Sequence, residues 1–250
     1  HSINAAPSAF EMKPLFTHYR SQRPVYALDL PGFGFSERSQ RAYSPALYVN
    51  TIIEFLDRVV GQAADVMALS LGCEFAAMAA QARPDRFRSL TLITPTGLGQ
   101  PRSISKSTSD RIYKTVTFPL WNQALFDLLT VRPSISYFSG KSFAGPTPAE
   151  FIDYAYQTSH QPGARIAPFY FLSGQLFTWD VREKTYEKLT TPTLVLYDRD
   201  PNVQFDLLPQ VLARNPNWRA ERITGTMGLP HWEKLPETTA ALAAFWAQQP

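Results

Sequence analysis

Ala68-Leu69-Ser70-Leu71-Gly72 is the stretch whose reading decides the fold. Asp65 to Leu69 is a short, mostly apolar run of the kind that forms a buried strand. Leu71 to Ala82 is rich in alanine, with Phe75 and Met78 among them, and Pro84 closes it, which predicts a helix. Ser70 therefore sits on a strand-to-helix turn, with Ala68 two residues before it and Gly72 two after. Small flanking residues suit a strained serine backbone whose neighbours pack closely. Such a turn also aims the backbone N–H groups of a helix start at the place where an oxyanion would form. A serine capping a helix would account for the pentapeptide on its own, so the rest of the chain has to decide.

Outward from this turn, strand and helix patterns alternate. Ser8-Ala9-Phe10-Glu11 fits a capping box and predicts a helix from Ala9 to about Tyr19. Val25 to Leu30 reads as a strand running into the turn-rich loop Asp29-Leu30-Pro31-Gly32-Phe33-Gly34-Phe35-Ser36. Ser44-Pro45 opens a second helix, with Tyr48, Ile52, Ile53, Leu56, Val59 and Val60 at helical spacing. Leu90 to Ile93 is a further buried strand. This is the pattern of a parallel sheet covered on both faces, which binds ligands at the carboxyl ends of its strands.

From Gly99 to Thr190 the alternation stops. The segment carries helical patterns and many aromatic residues, and it is too long for a loop. It is expected to be an inserted helical cap over residues 99–190, on a core made of residues 1–98 and 191–250. Alternation resumes with a strand at Thr193–Tyr197, a helix near Phe205–Arg214, a strand at Arg219–Ile223 and a closing helix from about Pro236.

Composition narrows the function. The 250 residues carry a net charge of +3 and are 44% hydrophobic, as expected for a globular chain with a sizeable core. The basic residues form no long run, which argues against a nucleic-acid or polybasic membrane footprint. No apolar stretch approaches the roughly 18 residues of a membrane span. Cys73 is the single cysteine, and no metal-ligand spacing of His and Cys occurs, so neither a disulfide, a metal nor another cofactor is called for. With no leader sequence in view, the expected location is cytoplasmic.

A serine hydroxyl needs a base to take its proton and an acid to orient that base. Of the four histidines, His1, His18, His160 and His231, only His231 follows the last acidic candidates and a final strand. Asp198 and Asp200 both follow the Thr193–Tyr197 strand and are the two candidates for the acid. A turn at His1-Ser2-Ile3-Asn4 offers the Ile3 N–H as a second oxyanion donor beside that of Leu71. Asn4 either adds its amide or simply makes a turn.

At this point the chain resembles the α/β-hydrolase superfamily, in its capped serine-hydrolase branch. His1-Ser2 is similar to the His-Gly of the oxyanion loop. Asp29 to Ser36 is similar to the Asp-x-Pro-Gly-x-Gly-x-Ser loop, and Ala68 to Gly72 to the nucleophile elbow. Gly228-Leu229-Pro230-His231-Trp232-Glu233-Lys234-Leu235-Pro236-Glu237 resembles the histidine loop. The resemblance implies a mostly parallel, doubly wound sheet, with Ser70 as nucleophile, His231 as base and an oxyanion hole at Ile3 and Leu71. Asp200-Pro201-Asn202-Val203 fits the Asp-Pro-x-Val found at the family's acid, which favours Asp200 over Asp198. Ser2 in place of glycine is a departure. The family also has strands before the oxyanion loop, one of them central. Without it the sheet is expected to carry a gap, filled by an N-terminal segment preceding this sequence or by another strand.

Two functions follow as expectations. The first is a serine hydrolase that cleaves a carboxylic ester or related acyl compound through an acyl-enzyme, on a small apolar substrate. Carbon–carbon hydrolase and acyltransferase chemistry stay open within the same superfamily. The second is a ligand-binding receptor on the same fold that turns over slowly.

Overall fold

The computed structural model describes residues 1–100 and 103–249. Its centre is a parallel sheet of β1 (Ala64–Leu69), β2 (Phe87–Ile93), β3 (Thr193–Tyr197) and β4 (Trp218–Arg222), in the order β1-β2-β3-β4. The sheet is doubly wound. On one face α2 (Pro45–Phe55), α3 (Gly72–Ala82) and α10 (Leu208–Arg214) pack around Leu90, Leu92 and Val195. On the other, α1 (Lys13–Tyr19) and α12 (Leu235–Trp246) cover Leu69, Ile93, Leu194 and Leu196. Alternate residues of β3 thus enter opposite cores, as the pleat requires, and its middle residues Leu194, Val195 and Leu196 are all apolar because both faces are covered.

Between β2 and β3 the chain forms α4 (Lys106–Val116), α5 (Asn122–Thr130), α6 (Arg132–Gly140), α7 (Ala149–Ser159), α8 (Ile166–Leu172) and α9 (Val181–Lys184). The remaining helix, α11 (Pro230–Glu233), precedes α12.

Three local expectations need correcting. The capping box at Ser8 does not form: residues 9–12 make a 3₁₀ turn and Ser8 gives no side-chain cap. The Asp29 carboxylate takes the Ala9 N–H instead, at 2.7 Å, and Glu11 is drawn elsewhere. The α10 helix begins at Leu208 and not at Phe205, because Pro209 suits only a first turn. Val25–Leu30 forms no strand among the described residues. A cleft of about 770 Å³ separates Val25–Leu28 from the outer edge of β1, and no strand among the described residues fills it.

The Asp29–Ser36 loop is held by its first residue. Asp29 accepts from Ala9 N through Oδ1 and from Phe35 N through Oδ2, and its carbonyl accepts the Ser36 hydroxyl at 2.6 Å. Gly34 lies at φ +55°, and a Cβ there would come within 2.0 Å of the Asp29 carboxyl carbon. Gly34→Ala is therefore expected to destabilise the protein by about 1–3 kcal/mol, through strain and loss of the Asp29 clamp. Urea unfolding beside the wild type measures this.

Candidate active site

Ser70 occupies the left-handed backbone region at φ +54°, a strained conformation for a residue with a Cβ. Its N–H continues the sheet by donating to the Ile93 carbonyl at 2.9 Å. The carbonyls of Ser70 and Leu71 then accept from Cys73 and Glu74 as α3 begins. A side chain at Gly72 would meet the His1 carbonyl at 2.3 Å, so a small residue is needed for the amino-terminal loop to lie against α3. Ile3 and Leu71 line the same cavity as Ser70. Neither residue's N–H donates to a protein acceptor among the described residues.

The amino-terminal loop is built on Glu11. Its buried carboxylate accepts from Ser2 N at 2.6 Å, Ser2 Oγ at 2.8 Å and Asn4 Nδ2 at 3.4 Å. Ser2 in place of glycine is thereby explained, because its hydroxyl is one of the donors that hold the loop. Asn4 makes a turn: its Oδ1 accepts Ala6 N, and its amide bonds to Ser2 and Glu11 and not into the cavity. Burial pushes the Glu11 carboxyl above its usual range, against the pull of those donors.

The two aspartates after β3 have separate environments. Asp198 accepts from Arg222 Nε at 2.7 Å, Gly225 N at 2.7 Å and Thr226 N at 3.1 Å, and so fastens the end of β4 to the following loop. Burial raises its pKa, but these donors outweigh it and hold the carboxyl below the ordinary value. Asp200 lines the Ser70 cavity. Its Oδ1 accepts from Asn202 N at 2.7 Å and Val203 N at 2.8 Å, and burial raises its pKa despite them.

His231 does not join this group. It is fully buried in α11, and its Nε2 bonds the Glu11 carbonyl at 2.7 Å. A carbonyl only accepts, so Nε2 carries the proton and its lone pair is not available to Ser70. Nδ1 is buried without a partner among the described residues. Trp232 Nε1 donates to the same carbonyl at 2.6 Å. Burial lowers the His231 pKa to about 4, with the Glu11 bond opposing. The imidazole is thus a neutral strut between α11 and the chain at Glu11, bonded to neither Ser70 nor Asp200.

The residue of the histidine loop that does face the acid is Gly228. A Cβ there would lie 2.5 Å from Asp200 Oδ2 and 3.4 Å from Ser142 Cβ. Its backbone lies outside the left-handed region, so conformation does not demand glycine. Thr94, itself at φ +44°, holds the position by donating its hydroxyl to the Gly228 carbonyl at 3.0 Å. Glu11, Thr94 and Gly228 were all missed from sequence. Gly228 stood in the quoted histidine loop, two residues before α11, but as a glycine it carried no chemical signal of its own.

The cavity that collects Ser70, Ile3, Leu71 and Asp200 has a volume of about 400 Å³. Its outer wall comes from the β2–β3 insertion, through Leu129, Ile135, Phe138, Phe151 and Phe171. No group of metal-ligating side chains occurs among the described residues, and no helix there is long and apolar enough to cross a membrane. One cavity thus collects Ser70, Ile3, Leu71 and Asp200, and no histidine lines it among the described residues.

Comparison with known proteins identifies the fold. A family model described as the alpha/beta hydrolase family matches residues 1–243. No curated protein matches the chain by sequence at a significant level. Similar solved structures include Cfl2 from Burkholderia cenocepacia, with TM-score 0.76 and 18% identity over 98% of this chain and 86% of that one. An esterase from Exiguobacterium antarcticum aligns with TM-score 0.75 and 13% identity, covering 98% and 89%. The 2-hydroxy-6-oxo-6-phenylhexa-2,4-dienoate hydrolase of Rhodococcus sp. strain RHA1 aligns with TM-score 0.75 and 14% identity, covering 99% and 88%.

Two predictions follow from this geometry. Gly228→His puts an imidazole beside Asp200 and is expected to raise p-nitrophenyl acetate turnover at least about 10²-fold, the lower range for a positioned base. Steady-state assays of the two proteins test it. The second concerns pH. Buried Glu74, bonded to Thr96 Oγ1 and Thr178 N, has its pKa raised by burial from 4.5 to about 7. Its contribution to stability is therefore present at low pH and falls as pH rises from 4.5 to 7. His231 has the opposite sign: unfolding exposes a group of pKa 6.5, so stability is lost as pH falls from 6.5 toward 4. In the wild type the two slopes oppose each other. Glu74→Gln removes the Glu74 slope, so the stability of the variant relative to the wild type, from urea unfolding, should rise by about 2 kcal/mol between pH 4.5 and pH 6.5.

Proposed function

The chain belongs to the alpha/beta hydrolase family, and from that premise we propose that it is a serine hydrolase of low intrinsic turnover acting on an acyl compound such as a carboxylic ester. Ser70 is the nucleophile. The N–H groups of Leu71 and Ile3 receive the carbonyl oxygen as it gains charge. The apolar wall of the inserted helices takes the acyl or alcohol group. The observation that carries this reading is the strained Ser70 turn opening onto the same cavity as Ile3 and Leu71. Such a backbone is retained where the surroundings enforce it, and here it presents a hydroxyl to an apolar space.

Low turnover follows from the imidazole. A serine attacks an ester when a base takes its proton as the Oγ–C bond forms. His231 spends its Nε2 proton on the Glu11 carbonyl and has a pKa of about 4, so it is a poor proton acceptor. The same observation favours a second reading, in which the site binds an acyl ligand and releases it unchanged. Inserted helices of residues 106–184 would then serve as the cap that closes over the ligand.

A fluorophosphonate probe separates the two. Under the hydrolase reading, Ser70 is labelled slowly and Ser70→Ala is not labelled. Turnover of p-nitrophenyl esters by Ser70→Ala falls to the buffer rate. Absence of labelling on the wild type, with ester-dependent thermal stabilisation retained, would instead establish the binding protein.

A further inference from the structure

Asp200 is the one cavity-lining carboxylate with an uncommitted oxygen. Glu11, the other, has its two oxygens taken by Ser2 and Asn4. Asp200 is divided: Oδ1 holds Asn202 N and Val203 N, while Oδ2 accepts no hydrogen bond among the described residues. Oδ2 packs against Gly228, where a Cβ would come within 2.5 Å of it, so the glycine is what lets the carboxylate sit at this place in the cavity wall. The carboxylate pays for its partial burial without a cation beside it, since no Lys or Arg pairs with it among the described residues. Lys141, the cavity's lysine, rests its ammonium over the Tyr137 ring, 4.3 Å from the centroid.

We propose that Asp200 Oδ2, over Gly228, is the subsite for a cationic nitrogen of the ligand, so that this chain takes acyl compounds bearing a protonated amine. The ligand's carbonyl lies at Ser70 between the Ile3 and Leu71 N–H groups, and its ammonium donates to Oδ2 from the cavity that Asp200 lines. A charge-assisted bond in a partly dry cavity discriminates more strongly than a neutral one. This inference rests on the acyl-site reading above, because it fixes the ligand's second group relative to a carbonyl already seated at Ser70.

The test is equilibrium binding by calorimetry to intact protein. The probes are the benzyl esters of glycine, β-alanine and γ-aminobutyrate, each beside the benzyl ester of the unsubstituted acid of equal length. Benzyl glycolate, a neutral donor, is added as a control. At least one amino ester is expected to bind about ten- to a hundredfold tighter than its uncharged counterpart and tighter than the glycolate. Asp200→Asn should reduce that ratio to near one, and so should Gly228→Ala, whose methyl would displace Oδ2 itself. Circular dichroism confirms that each variant is folded. Equal binding of amino and uncharged esters overturns the cation subsite and leaves the acyl site standing. A ratio that survives Asp200→Asn overturns the assignment to Asp200. If no ester of either kind binds and the fluorophosphonate does not label Ser70, the acyl-site reading falls and this inference with it.

Discussion

The Ser70 N–H to Ile93 carbonyl bond is the interaction on which the site depends. Parallel strands of unequal length end in a staircase, and here each step is closed by the first residue beyond the strand. Ser70 bonds Ile93, Thr94 bonds Leu196 and Ile223 bonds Tyr197. Two of those residues, Ser70 and Thr94, adopt left-handed backbone to make the turn. The ladder supplies what the strain costs, and the result is a rim on which a hydroxyl from one strand end and a carbonyl anchor from the next face a single cavity. Conformation, sheet register and chemistry are the same fact seen at three scales.

Glu11 ties that rim to the rest of the molecule from both of its ends. The carboxylate sets the loop that carries the Ile3 N–H, and the carbonyl fixes His231 and Trp232. A residue read from sequence as a helix cap is thus the joint between the amino-terminal loop and the loop that carries His231. Because the joint uses the imidazole Nε2 as a donor, that nitrogen has no lone pair to offer.

Much of the fold was legible because it rests on local chemistry. The apolar runs at Asp65–Leu69 and Thr193–Tyr197, the Ser44-Pro45 helix start and the Pro84 stop each carry their signal within a few residues. The elements that were misread depend on partners far along the chain. Val25–Leu30 has strand composition but no neighbour to pair with, and Ser8 lost its cap to Asp29, twenty residues on. At the site, Ser70 and Asp200 announce themselves through small-x-Ser-x-small and Asp-Pro-x-Val. The function of His231 was not legible, since which atom a buried imidazole donates to is decided by packing around a backbone carbonyl from residue 11. Gly228 is invisible to any search for reactive side chains: its contribution is to let the Asp200 carboxylate pack against the backbone.

The outer margin of β1 has a consequence of its own. Its outer side has no paired strand among the described residues and faces the cleft lined by Val25, Leu28, Ile52 and Val66. An extended segment laid there in register would become a fifth strand and turn β1 from an edge into an interior strand, so the sheet is open to extension on the side that carries the Ser70 turn.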